Sequence, residues 1–158
     1  MTFRVGIGYD VHRLVSGRKC VIGGVIFDFE KGSSGHSDGD VLLHAICDAL
    51  LGAANLGDIG EHFPDTKKEN KDVDSQIFLK HCYGLVKEKG YVLNNLDTIV
   101  VCEKPKISSR KKEIQKTIAK VLEVDEDLIS IKATTEEKMG FTGSGDGIAA
   151  WAYVSLVK

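Results

Sequence analysis

A chain of 158 residues, 42% hydrophobic and 28% charged with a net charge of −2, holds enough apolar material for one domain with a real core and is short for two. The near balance of charge excludes both a broad basic field for nucleic acid and the signature of disorder, so an anionic ligand must be held locally. No run approaches membrane-spanning length, no basic region precedes an apolar stretch at the N-terminus, and the cysteines at 20, 47, 82 and 102 show no Cys-x-x-Cys pairing; the chain reads as soluble and untargeted, with reduced thiols, in a cytosol-like compartment.

Phe3, Val5, Ile7 and Tyr9 alternate with Arg4, Gly6, Gly8 and Asp10, which predicts a first strand ending at an Asp10-Val11-His12 motif. Two glycines on the face that carries Asp10 admit a close backbone or ligand, or mark a bulge or tight packing. Residues 19–22 and 25–27 flank Gly23-Gly24, the connection expected of a β-hairpin, peripheral to the main sheet. Residues 31–35 read as a Gly/Ser-rich loop, after which Ser37, Asp38 or Asp40 caps a helix that begins near Val41 and ends near Gly57. His44 and Asp48 lie four apart on that helix and share a face. Asp48 is therefore either a partner that orients His44 or an exposed carboxylate. The segment 57–65 is acidic and punctuated by Gly and Pro, as a loop over a site or an ordinary connection would be.

Ile77, Leu79, Leu85 and Val86 fit a second helix ended by Gly90. A strand over 96–102 follows, then a third helix through Ile114, Ile118, Val121 and Leu122, then a strand over 128–133; this spacing suits a right-handed crossover between parallel strands. Residues 143–147 have the glycines of a phosphate cradle but lack the Lys-Ser/Thr ending of a Walker loop, and read as a turn. In the last strand, 147–157, Ile148, Ala150, Ala152, Val154 and Leu156 occupy one face, with Trp151, Tyr153 and Val157 on the other. Neither face looks solvated, and three long helices are few to cover both, which favours an oligomer.

Asp10 and His12, two apart in a strand, point to one side, and His44 can join them from the helix. Two histidines and a carboxylate suit a zinc-like ion and leave a fourth tetrahedral position open. The same residues also have ordinary readings, because Asp-x-His pairs arise by chance and a single helix histidine is commonly a hydrogen-bonded core residue. The 134–137 segment, Thr-Thr-Glu-Glu, offers ligands for phosphate and a hard cation, and equally a helix cap.

Several motifs in order carry a family resemblance: Asp10-Val11-His12; His36-Ser37-Asp38-Gly39-Asp40 with His44; Asp58-Ile59-Gly60 with Phe63-Pro64-Asp65; Lys132-Ala133-Thr134-Thr135 with Glu137-Lys138; and Gly140-Phe141-Thr142-Gly143. From Val5 to about Val154 the chain resembles the 2-C-methyl-D-erythritol 2,4-cyclodiphosphate synthases of the non-mevalonate isoprenoid pathway. The resemblance implies one domain over residues 1–158 of mixed α/β (α+β) class, with a mainly four-stranded sheet, a small hairpin and three main helices. It further implies a homotrimer whose sheets face the centre and whose active sites lie between subunits, in a bacterial cytoplasm or, as a processed form, a plastid stroma. No nucleic acid or membrane partner is implied.

The implied reaction is a cyclising, CMP-releasing phosphorus-oxygen lyase step on a cytidylyl small molecule, 4-diphosphocytidyl-2-C-methyl-D-erythritol 2-phosphate. Its 2-phosphate attacks the β-phosphorus, which calls for alignment and charge neutralisation. By resemblance, Asp10, His12 and His44 hold a zinc-like ion, and Glu137 a magnesium or manganese ion bridging the substrate phosphates. His36 and Thr135 are the catalytic donors at the reacting centre, and Ser37 donates to phosphate. Asp58, Ile59, Gly60, Phe63, Pro64, Asp65, Thr66 and Lys67 embrace the methylerythritol. Cys102, Glu103, Lys104, Pro105, Lys106, Ile107 and Ser108, with Thr134, Thr135, Glu136 and Glu137 of a neighbouring subunit, hold the cytidine and its phosphates. Val11 and Phe141 complete the implied substrate contacts. Glu136, Ser144 and Asp146 depart from the family's usual threonine, basic residue and glutamate. A zinc-dependent phosphohydrolase and a non-catalytic trimeric nucleotide sensor are the rival readings.

Overall fold

The computed structural model describes residues 1–158 apart from the side chain of Asn70. Strand β1 spans Phe3–Ser16, β2 Cys20–Ile22, β3 Val25–Phe27 and β4 Lys31–Ser33, followed by helices α1 (Val41–Ala53), α2 (Ile59–His62) and α3 (Ser75–Glu88). Then come β5 (Val92–Val101), α4 (Lys111–Leu122), β6 (Ile129–Thr134), α5 (Gly140–Gly143) and β7 (Gly147–Val157). The main sheet has five strands in the order β4-β1-β7-β5-β6, and β2 and β3 form a separate hairpin.

This corrects the expected four-stranded sheet, because residues 31–33 are no loop: they pair antiparallel with Leu14–Ser16 at the far end of β1. The first strand likewise does not stop at its Asp-Val-His motif but runs on to Ser16, since pairing with β7 continues to Arg13 opposite Gly147. The first helix ends at Ala53 rather than near Gly57; Leu56 N bonds back to Leu51 O, and Asn55 at φ 55° has already turned the chain away. β5 starts at Val92, four residues before the expected start at Leu96. The helical inventory gains two single turns, α2 and α5. The final strand falls on the expected residues, and β6 lies parallel to β5 across the helical crossover as expected.

α1 is the centre of the core. Ten of its residues are buried, all but His44, Asp48 and Gly52, so it is a helix that is apolar almost all round and packed on every side. It lies on the face of the sheet formed by the even residues of β1 and β7, where Ile148, Ala150, Ala152, Val154 and Leu156 are almost wholly inaccessible. That contact depends on Gly6 and Gly8. A Cβ on Gly8 would stand 1.8 Å from Ala45 O, and one on Gly6 2.0 Å from Ala49 O, so the helix backbone rests directly on the strand backbone.

The start of α1 is fixed by Asp40. Its carboxylate accepts from Leu43 N at 3.1 Å and from the hairpin amides of Gly23 and Gly24 at 2.9 and 2.7 Å. The hairpin, separate from the main sheet, is thus clamped to the helix start. Gly23 and Gly24 both have positive φ, 62° and 75°, as a two-residue turn of this kind requires.

The odd residues of β1 point the other way. Phe3, Val5, Ile7, Tyr9, Val11 and Tyr153 are each at least 42% exposed. The apolar second face anticipated for the last strand is therefore real, and within one chain it is uncovered.

Gly8→Ala should cost stability at or above the upper end of the roughly 1–3 kcal/mol of an overpacked core, because the obstacle is helix backbone rather than a flexible side chain. Denaturant unfolding checks this; an unchanged midpoint would mean that α1 does not need the glycine.

Candidate metal centre and its cleft

The strand alternation that buries the even face brings Asp10 and His12 under α1, and the helix delivers His44 to the same point. Asp10 Oδ2 lies 2.8 Å from His12 Nε2 and 3.0 Å from His44 Nδ1, and the two ring nitrogens are 3.2 Å apart. Among the described residues these three form the one group of His, Cys, Asp and Glu close enough to share a metal ion. Tetrahedral zinc with bonds of about 2.0–2.1 Å has ligand atoms roughly 3.3 Å apart, so the triangle needs little adjustment to receive it.

The remaining ring nitrogens have partners that suit ligation. His12 Nδ1 is 2.9 Å from Ser34 O; a carbonyl only accepts, so the proton sits on Nδ1 and Nε2 keeps its lone pair. His44 Nε2 lies 2.9 Å from Ser75 Oγ and 3.1 Å from Ser37 Oγ. Asp48 is not its partner. It accepts from Ile59 N at 2.7 Å and so anchors the 58–62 turn instead.

Burial alone would raise the Asp10 carboxyl, but hydrogen bonds and charge from His12 and His44 outweigh it and hold it at about 2. Burial would lower His12, yet its bond to Asp10 and the attraction of that carboxylate raise it above its ordinary 6.5.

The triad lines a cleft of about 530 Å³ together with His36, Ser37, Ile59, Gly60, Phe63, Pro64 and Asp65. His36 Nε2 donates to Lys67 O at 3.1 Å, which ties the histidine loop to the 63–67 segment. Phe63 stacks on Phe78, ring centroids 4.2 Å apart, closing the cleft floor. Asp58 is not among the lining residues; its carboxylate caps α2 by accepting from Glu61 N at 3.0 Å. Thr66 is not among the lining residues. Val11 projects from the uncovered face, opposite Asp10 and His12, as its odd position in the strand demands.

A second, smaller pocket of about 150 Å³ is lined by Cys102, Glu103, Pro105, Lys106, Ile107, Ser108, Thr134 and Thr135. It shares no residue with the first, so His36 and Thr135, paired in the sequence reading, sit in different pockets of one chain. Lys104 borders a neighbouring hollow with Lys31, Lys138 and Ser144. The Thr-Thr-Glu-Glu segment caps no helix. Glu137 and Lys138 take positive φ, 52° and 65°; Glu137 N donates to Thr135 Oγ1 at 3.3 Å, and the Glu136 carboxylate takes the Thr142 hydroxyl. Phe141, 46% exposed, lies outside both pockets. Ser144 donates to Asp146 Oδ2 at 2.7 Å, so its hydroxyl serves its own turn.

Two groups at the centre escaped the sequence reading. Ser75 has no motif around it beyond the Asp74-Ser75 helix start, and Asp38 was read as a possible cap and as part of the His36–Asp40 motif, with no role assigned beside His44. Nothing in one dimension signals that they converge behind His44 from 37 residues apart.

The Asp10–His12 pair and metal binding have opposite pH dependence. A His12 pKa raised on folding adds stability fully present below about 6.5 and lost as pH climbs through the folded value, whereas metal must displace protons from both imidazoles. Between pH 6 and 8, the metal-free melting-temperature advantage over His12→Ala should shrink while the upward shift produced by zinc grows. Zinc shifts of equal size at pH 6 and 8 would count against histidine ligation.

The YgbB family model matches residues 3–157. A Bacillus subtilis protein named 2-C-methyl-D-erythritol 2,4-cyclodiphosphate synthase is 53% identical over 156 residues, 99% of each chain. Among solved structures, the bifunctional IspDF of Campylobacter jejuni superposes with a TM-score of 0.95 at 43% identity over 98% of this chain; the chain spans 42% of that longer protein. The Plasmodium falciparum IspF, solved as a CDP complex, gives a TM-score of 0.87 at 37% identity, covering 98% of this chain and 96% of its own.

Proposed function

The chain belongs to the YgbB family, and from that premise we propose that it converts 4-diphosphocytidyl-2-C-methyl-D-erythritol 2-phosphate to 2-C-methyl-D-erythritol 2,4-cyclodiphosphate and CMP. The observation that carries this is the convergence of Asp10, His12 and His44 at a cleft, in a chain 53% identical over its length to a synthase of that name. The reaction joins the substrate's own 2-phosphate to the β-phosphorus of its diphosphate and breaks the bond to the CMP oxygen. It is a lyase step with no protein nucleophile, so alignment and electrostatics are the protein's contribution.

Asp10, His12 and His44 would hold a zinc-like ion, whose chemistry there is Lewis-acid polarisation of a phosphate oxygen. Glu137 is the residue that would help hold a second ion, magnesium or manganese, whose chemistry there would be neutralisation of phosphate charge. His36 is tied to the 63–67 segment through Lys67 O, which holds the ring at the cleft where it would meet a phosphate oxygen. Ser37 donates beside it, and residues 58–60 and 63–67 fit the polyol.

We assign the cytidine to the pocket of residues 102–108 and 134–135, with Glu136 and Glu137 beside its phosphates; the CDP held by the Plasmodium relative supports a cytidine site in this fold. Because that pocket and the metal cleft share no residue within one chain, we assign them to one active site across a subunit boundary in a homotrimer, its centre filled by the uncovered faces of β1 and β7. The four free, buried cysteines suit a reducing compartment such as the cytoplasm.

Incubation with the cytidylyl substrate, followed by phosphorus NMR, should give one cyclic diphosphate and CMP in equal amounts. Inorganic phosphate or a linear product would instead identify a hydrolase.

His36→Ala and Thr135→Ala should each lower turnover on the order of a hundredfold, as removal of a donor aimed at developing charge does. Mixed trimers of the two variants should regain activity, since one chain's intact His36 then meets a neighbour's intact Thr135. Verified mixed trimers with no recovery would refute the shared site.

A further inference from the structure

Behind His44, on the side away from Asp10, lies a line of hydrogen bonds: His44 Nε2 is 2.9 Å from Ser75 Oγ, and Ser75 Oγ is 2.5 Å from Asp38 Oδ1. Ser75 is wholly buried and is the first residue of α3. Its backbone amide donates to the other Asp38 oxygen at 3.0 Å, so carboxylate and serine are held by two bonds in one geometry.

We infer that Asp38 and Ser75 are positioning residues for the metal: the carboxylate orients the Ser75 hydroxyl so that His44 keeps its proton on Nε2 and presents Nδ1 to the ion. The direction follows from donor counting. An ionised carboxylate only accepts, and a serine hydroxyl has one proton. With that proton given to Asp38, Ser75 Oγ can offer His44 only lone pairs, and Nε2 must be the nitrogen that donates. Nδ1, 3.0 Å from Asp10 Oδ2 and 3.2 Å from His12 Nε2, is then left with its lone pair pointing where the other two ligand atoms meet.

Ser37 Oγ also lies near Nε2, at 3.1 Å, but it accepts Gly39 N at 3.3 Å and has no carboxylate behind it. Its proton is free to point anywhere, so Ser37 does not select the tautomer. Asp38 has a further anchor: its backbone amide donates to Val73 O at 3.1 Å, and Asp72 N donates to His36 O at 2.8 Å. The loop that supplies Asp38 and the segment leading to Ser75 therefore brace each other.

The inference rests on the metal reading of Asp10, His12 and His44 and not on the substrate assignment. Partners of metal-bound histidines typically contribute about 10- to 100-fold to metal affinity. Zinc affinity measured by chelator competition on the full chain should therefore fall by that factor in Ser75→Ala and in Asp38→Asn, while Ser75→Thr, which keeps the hydroxyl, should hold within about threefold of wild type. Nitrogen-15 histidine spectra of the zinc-loaded wild type should show His44 with its proton on Nε2. Melting temperatures on the same preparations separate a ligand effect from a folding loss, since a merely structural serine would lower the melting temperature without changing zinc affinity in the folded fraction. Ser75→Ala with wild-type zinc affinity, or Ser37→Ala weakening zinc as much as Ser75→Ala, would overturn the relay. A wild-type chain that binds no divalent metal would overturn the metal reading itself.

Discussion

Everything at the site depends on how closely α1 lies on β1. At Gly6 and Gly8 the helix carbonyls of Ala49 and Ala45 occupy the space where a side chain would be, so the two backbones approach without any side-chain layer between them. An ordinary strand and helix keep their backbones about 10 Å apart, a spacing set by interlocking side chains. Here the shorter spacing lets a histidine side chain on the helix reach the atoms carried by the next even positions of the strand. Asp10 and His12 continue the same face just past the glycines, and His44 stands one residue before Ala45. The glycines set the separation and Asp40 sets the axial position, by holding the first turn of α1 against the hairpin through three amides.

The centre is also prepared electrically. Each histidine has one nitrogen turned to Asp10 and the other facing a fixed oxygen, so both rings are oriented before any ligand arrives. Asp10, held at about 2, is charged at neutral pH. In the metal-free chain Asp10 accepts from the rings, and a divalent cation would take the place of those protons among the same three atoms. The four cysteines supply no competing soft site: all are buried, and burial pushes the Cys20 and Cys102 thiols up to about 11 and 12.

The elements with strong periodicity were legible before any coordinates. β7 alternates cleanly, the 111–122 helix has a regular apolar stripe, and the Gly23-Gly24 hairpin carries its own turn chemistry. The convergence of Asp10 and His12 was legible because i, i+2 geometry is a property of any strand, and His44 joins them as expected. What could not be read were features set by distant pairing. Residues 31–33, glycine- and serine-rich, are a strand only because Leu14–Ser16 offers an open edge, and Asp48 leaves His44 for an amide that the fold brings to it. Ser75 reaches His44 from α3 across a gap that only packing of that helix on α1 defines. Motif resemblance supplied the pocket residues in groups and implied that 102–108 and 134–137 serve a neighbouring subunit's site, an expectation with which the two separate hollows of a single chain agree.

That separation and the uncovered sheet face have one origin in the register of β1. Even positions 6, 8, 10 and 12 face α1 and carry close packing, then two of the candidate metal ligands; odd positions 3, 5, 7, 9 and 11 face outward and are apolar throughout. A slip of one residue would exchange the two sets, placing valine and tyrosine under the helix and the metal ligands in the exposed face. In the trimer proposed above, the outward set draws neighbouring chains together while the inward set holds the reacting phosphates. One strand register would then govern assembly and chemistry at once, and burial of the odd residues between subunits would stiffen the strand that carries Asp10 and His12. Assembly would so contribute to the site twice, by bringing a neighbour's Thr135 to the cleft and by fixing the strand on which the local ligands stand.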